Sequence, residues 1–292
     1  MQMRSRLFSI ATYLAATTSG LVVLLYPFFL PALSARSGFG TYRSGEMPAM
    51  MTLLLGLCLS VLLIEAQGPS MNTKLIALLG VLVAINSALR FIETVLPGPG
   101  GFTPIFFLII LVGYVFGGRV GFLMGALTLL VSALVTGGVG PWLPGQMFTA
   151  GWVGMSTTIL RPITGILLKR RDQKNHLPIN GEVIVLAIYG LLWGFLYGAI
   201  MNLWQWPFII GPVGQSWIAG LGMAQALQHY FAFYLVTSLV WDAIAAVGNV
   251  LLLLALGAPT LKALRRFRQR FTFRVEGGQE QRYLQTGEGP SR

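Results

Sequence analysis

The sequence predicts an all-α integral membrane protein of about eight transmembrane helices with both termini in the cytoplasm. Of its 292 residues 55% are hydrophobic and only 10% are charged. The apolar residues also fall in long uninterrupted runs. One soluble core cannot hide so much apolar surface. Runs of roughly 17 to 25 apolar residues are what a helix needs to cross a bilayer.

Such runs lie near Leu7–Leu33, Met47–Ile64, Thr73–Val95, Thr103–Phe116, Val120–Val135, Gln146–Leu168, Val183–Leu203 and Gln228–Leu256. The first run is longer than the apolar core of a secretory signal, so a retained anchor is expected. The fourth and fifth are short and separated only by Gly117–Arg119. A net charge of +11 raises the question of a nucleic-acid partner. The basic residues, however, sit in short segments between and after the apolar runs. With a cytoplasmic N-terminus, the inside segments hold Arg4, Arg6, Lys74, Arg119, "KRRDQK" at 169–174 and the tail from Lys262. The outside segments hold Arg36 and Arg43. That asymmetry obeys the positive-inside rule and orients the chain.

This orientation puts three irregular stretches outside: "LPGPGGF" (96–102), "TGGVGPW" (136–142) and "LWQWPFIIGPVGQSWIAGLG" (203–222). All three are uncharged and rich in glycine and proline, and two carry tryptophan. Each alone fits a tight connection with an interfacial aromatic belt. Together they favour a lid over a cavity, because non-helical backbone at membrane depth needs protein or trapped water around it.

Several chemistries are excluded. No GxxxxGK[ST] occurs, so the chain does not cradle nucleotide phosphates. Two histidines, His176 and His229, and nine acidic residues supply neither an HExxH site nor an aspartate-rich metal cluster. Ser156 follows "GWVGM" rather than the GxSxG elbow. The single cysteine, Cys58, forms no disulfide within the chain. No enzyme, metal site or covalently bound cofactor is therefore expected.

Ionisable residues inside spans are costly and therefore informative. Asp242 lies in the last span, Arg161 precedes Pro162, and Arg90 and Glu93 stand three apart near the outer end of the third span. Asp242 is a buried partner for either arginine or a functional group. Arg161 fits snorkelling to the inner headgroups. Arg90 and Glu93 lie close to the proposed lid. Neutral polar and aromatic side chains gather in the outer halves of the later spans: Gln146, Asn202, Trp204, Gln205, Gln215, Trp217, Gln225, Gln228, His229 and Tyr230. A small-molecule site wants this mixture of apolar wall and a few orienting groups. Toward the inner half, Gly80, Ala84 and Ala88, and separately Gly117, Gly121 and Gly125, recur at four-residue spacing. Such smooth stripes permit close helix approach, either within the bundle or to a partner subunit.

The segment "GGFTPIFFLIILVGYVFGGRVGFLMGALTLLVSALVTGGVGPWLPGQMFTAGWVGM", preceded by "KLIALLGVLVAINSALR", resembles the substrate-binding S component of energy-coupling factor (ECF) vitamin transporters. The features that carry the likeness are the small-residue stripe, the proline-started helix ending in "GYVFGGRVGF", the glycine-rich hairpin and "QMFTAGWVGM". It covers Thr73 to Arg266 and implies a six-helix substrate-binding domain (73–266). Two extra helices precede that domain (1–67), and a basic, then disordered cytoplasmic tail follows it (267–292).

The resemblance implies partnership with a transmembrane T component and a pair of cytoplasmic ATPases, which supply any ATP hydrolysis. Gly80, Ala84, Ala88, Gly117, Gly121 and Gly125 become docking candidates, although the family stripe is alanine-rich. Arg90, Glu93, Trp142, Gln146, Asn202, Trp204, Gln205, Gln228, His229 and Tyr230 become ligand candidates. The hairpin and the "WDAIAAVGN" ending are most similar to the cobalamin branch, although riboflavin or a thiamine precursor suits the same residue types. A self-contained secondary transporter, or a membrane assembly protein without a ligand, remains the alternative.

Overall fold

The computed structural model describes residues 14–15, 17–25, 28, 55–56, 58–64, 71, 73–95, 102–164, 181–209, 211–218 and 220–271. Among these the regular structure is entirely helical. From Thr73 on, seven α-helices follow in chain order among the described residues: α1 (Thr73–Val95), α2 (Ile105–Phe116), α3 (Gly118–Thr136), α4 (Leu143–Ser156), α5 (Gly181–Gln205), α6 (Met223–Thr237) and α7 (Leu239–Phe271). A 3-10 turn at Thr157–Ile159 carries α4 on into helix at 160–164, and another at Trp206–Phe208 ends α5. Four helices, at Thr73–Glu93, Gly118–Thr136, Gly181–Phe208 and Leu239–Gln269, are long and apolar enough to cross a membrane. Most of the first two predicted spans lies outside the described residues, but 17–25 and 58–64 are helical.

The centre is α2. Its 12 residues are all apolar but for Gly113 and Tyr114, and Ile105 to Val115 are buried without exception. A helix that is hydrophobic all round belongs inside protein, and α1, α3, α4, α5 and α7 all pack on this one. At 1.5 Å per residue it is about 18 Å long, well short of the roughly 30 Å hydrocarbon layer.

Glycine seams set the packing around it. A Cβ on Gly121 would strike the Gly154 carbonyl and the Gly113 Cα, and one on Gly125 would strike the Ala150 carbonyl. Gly121 and Gly125 thus bring α3 into backbone contact with α4, and Gly113 brings α2 into the same seam. This corrects the docking expectation for these two residues: both are buried inside the bundle. Gly117 serves a different purpose. It turns the chain from α2 into α3 at φ 107°, a conformation open to glycine but not to residues with a Cβ.

A second seam escaped the sequence reading. Gly190, Gly194 and Gly198 lie four apart on α5 and meet Leu253 and Asn249, Ala246, and Asp242 of α7 in reverse order, so the two helices run antiparallel. The Asn249 Nδ2 bond to the Gly190 carbonyl (3.2 Å) crosses this seam. Between α1 and its neighbours, Asn86 Nδ2 donates to Ile105 O (3.1 Å) and Thr128 Oγ1 (3.2 Å).

The last predicted span is divided. Its first ten residues belong to α6, the chain breaks at Ser238 (φ −127°), and the membrane-length helix begins at Leu239. Tyr230 Oη donates to Ala199 O, and Asn202 Nδ2 donates to Thr237 Oγ1 (2.9 Å). These two ties hold α6 across the last turns of α5. The six-helix core is therefore α1 to α5 and α7, with α6 added at the outer end. At the other end α7 runs on to Phe271, so the predicted boundary at 266/267 falls inside a helix. Residues 272–292 lie outside the described residues.

At the inner end, Arg161 closes α2. Its Nε and Nη2 donate to Tyr114 O (2.9 and 2.8 Å), and Nη2 also donates to Val115 O (3.0 Å). Arg268 Nη1 reaches Val115 O as well (3.0 Å). Helix-end carbonyls have no intrahelical partner, and α2 is too short to carry them to water. The arginine expected to snorkel is instead a cap for these carbonyls. Tyr114 Oη meets Thr164 Oγ1 (2.9 Å) and donates to Glu182 (3.1 Å), and Glu182 pairs with Arg265 at 2.7 Å.

Candidate ligand site at the outer end

The outer half of α5, from Tyr197 to Trp206, positions the candidate site. On one side the indole of buried Trp204 stands 5.4 Å from the ring of Phe208. Gly145, in the first turn of α4, lies against Met201 and Trp204. That seats the turn carrying Trp142 and Gln146. The Trp142 ring folds back over Gly140, where no Cβ would fit, and remains 39% exposed. Gln146 is half-buried. Pro144 in the first turn is tolerated because the early N–H groups of a helix lack intrahelical acceptors.

On the second side lie the loop and α6. Trp206 Nε1 donates to Gln215 O (2.7 Å), and the Trp206 ring stands 5.4 Å from Tyr230. His229 Nδ1 donates to Ser216 O (3.0 Å), while Ser216 Oγ accepts from Gly211 N (3.0 Å) and donates to Gly211 O (2.8 Å). Gln205 and Gln228 are exposed. Asn202 is buried at 7% exposure and committed to Thr237. Three of the predicted polar handles, Asn202, His229 and Tyr230, thus hold the loop and α6 in place.

On the third side, α1 ends beside the start of α2. Glu93 lies next to Thr103, and the Arg90 charge acts on both Glu93 and Tyr197. Glu93 Oε2 and Thr103 Oγ1 are buried without a completed hydrogen bond among the described residues. The Tyr197 ring packs against Phe106 with centroids 4.7 Å apart. Arg90 is thus near Tyr197 of α5, and Glu93 near Arg90 and Thr103.

Asp242 takes its hydrogen bond from Ser238 and not from either arginine. It is 8% exposed and fills the space left by Gly198. Ser238 Oγ donates to its Oδ2 (2.8 Å), and Tyr234 of α6 lies nearby. Tyr230, Tyr234, Ser238 and Asp242 stand four apart in the sequence, a polar stripe that would have disclosed the cluster. Its position in the first turn of α7 also suits a carboxylate, since the N-terminal end of a helix carries partial positive charge.

Of the two small-residue stripes, Gly80, Ala84 and Ala88 are exposed along α1. Gly80 borders a groove of about 280 Å³ lined also by Leu59, Leu62, Leu63, Ile76 and Leu123. The only stripe that faces outward is thus the one on α1.

A family model described as the substrate-specific component of ECF transporters matches residues 74–257, which takes in α1 from its second residue, α2 to α6 and α7 as far as Gly257. Comparison with curated proteins and with solved structures gave no match. The matched span covers more than half of the chain and reaches all six helices of the core, and the protein is a multi-pass membrane protein belonging to the family of ECF transporter substrate-specific components.

Proposed function

We propose that this chain is the substrate-capture subunit of an ATP-driven vitamin importer, and that its ligand is cobalamin or a related corrinoid taken up from outside. The observation that carries the reading is the outer half of α5, where Tyr197, Trp204 and Trp206 are met by Phe106, Phe208 and Tyr230. A large ligand bearing amide arms calls for apolar walls and neutral donors and acceptors rather than a counter-charge. The exposed Gln205 and Gln228 and half-buried Gln146 supply such groups. The loop and α6 are pinned by a small number of hydrogen bonds and ring contacts among the described residues, and on this reading the aromatic layer parts to admit a ligand and closes over it.

The same proposal assigns Gly80, Ala84 and Ala88 on the exposed face of α1 to docking on a T component, with cytoplasmic ATPases completing the importer. Residues 1–67 are then an accessory membrane segment. Mass spectrometry on protein purified from cells given mixed vitamins, followed by calorimetry, tests the ligand. Retention of cobalamin and heat on its titration support the reading. Heat with riboflavin and none with cobalamin overturns the corrinoid assignment, and no retained vitamin of any class overturns capture. Ala84→Leu should abolish transport and co-purification of the T component while leaving binding intact.

A further inference from the structure

The helix at 17–25 lies outside the span that defines the family, yet it is built into the bundle. A Cβ at Gly20 would run into Trp152 and Phe148 of α4, so the helix sits in a notch that only glycine permits. Val23 and Leu24, at 0% and 6% exposure, join the same core. Farther along, the Phe28 ring stands 5.8 Å from Trp217, edge to face, and 6.4 Å from Trp206. Those two tryptophans flank the outer loop. Trp206 and His229 fix the loop through Gln215 O and Ser216 O, and both lie inside the family match. Phe28 adds a third hold, from a helix anchored independently on α4.

We propose that Phe28 is a latch on the outer loop and sets how long a bound ligand is retained. The retention half rests on the reading that the ligand enters beneath this loop. With the Phe28 ring in place, the loop cannot lift without breaking two aromatic contacts; without it, the hydrogen bonds from Trp206 and His229 and the Trp206–Tyr230 contact are left, among the described residues, to oppose opening. The family-matched core carries the site, and the extra helix slows its opening.

Full-length Phe28→Ala and Phe28→Trp in nanodiscs test this by hydrogen–deuterium exchange over 206–222 and by dissociation of cobalamin and riboflavin. Loss of two ring contacts should speed exchange and vitamin release about tenfold in the alanine variant, and tryptophan should restore both. Gly20→Leu, which unseats the helix from α4 without touching the aromatic cluster, should reproduce the alanine result. Unchanged exchange in Phe28→Ala overturns the latch whether or not a vitamin binds. Faster exchange with unchanged release from a protein that does bind overturns the retention role. A wild-type protein that binds neither vitamin refutes the ligand reading instead, and the exchange result alone then decides the latch.

Discussion

Gly121→Ala and Gly80→Ala add the same methyl group to two glycines that stand in sequence as members of similar stripes. At Gly80 a Cβ meets nothing within 4 Å. At Gly121 it meets the Gly154 carbonyl and the Gly113 Cα. These obstacles are backbone, so no rotamer change can relieve the clash, and α3 has to move away from α2 and α4. Overpacking of this kind costs roughly 1–3 kcal/mol, and an immovable obstacle puts Gly121 at the upper end, about 3 kcal/mol. Alanine offsets about 1 kcal/mol of that through its better helix propensity. The net loss is then about 2 kcal/mol, more than a tenfold fall in the ratio of folded to unfolded protein. Gly80→Ala receives the same propensity gain with no clash and should be at least as stable as wild type. Reversible unfolding in mixed micelles, followed by tryptophan fluorescence, measures both. Equal stability of the two variants would refute the internal seam, and a stable Gly121→Ala that no longer assembled with a T component would restore the docking role.

Arg161→Met should destabilise the fold by about 2 kcal/mol in the same unfolding assay, since Tyr114 O loses its side-chain donor while Val115 O keeps Arg268. Glu182→Gln should cost under about 1 kcal/mol, because Arg265 in that pair is 44% exposed; a double-mutant cycle with Arg265→Ala reads the coupling. Tyr230→Phe keeps the ring against Trp206 but loses the bond to Ala199 O. It should weaken the hold on α6 by about 1 kcal/mol, seen as faster amide exchange in α6 with little change in exchange across α2.

Apolar run length made most of the helices legible. It located α1 to the residue, because the run is bounded by Asn72 and by the proline–glycine stretch after Leu96. It failed at Ser238, where Phe231, Leu235, Leu239 and Val240 continue the hydropathy without a break. Hydropathy records how apolar a segment is and says nothing of a change in its direction. Four-residue spacing showed which residues are small but not what fills the space beside them. The stripe at Gly121 and Gly125 is closed by the backbone of α4, whereas the stripe from Gly80 to Ala88 lies open. The stripe at Gly190, Gly194 and Gly198 carries the same signal and is filled by α7. Among the candidate site residues, composition picked out side chains at the ends of α1, α5 and α6 and in the turn before α4. The roles of Asn202, His229 and Tyr230 as ties depend on partners that only the fold brings near.

The shortness of α2 has a consequence for how this subunit meets membranes of different thickness. A helix exposed to lipid must tilt or stretch its surroundings when its apolar length and the bilayer disagree. α2 touches protein on every side and is about 12 Å shorter than the hydrocarbon layer, so the bilayer exerts no such demand on it. The mismatch falls on the encircling helices, with α5 and α7 the longest among those that face outward. A thinner bilayer would lean these helices over while the axle they surround, tied at Arg161 and Arg268, keeps its length and its neighbours.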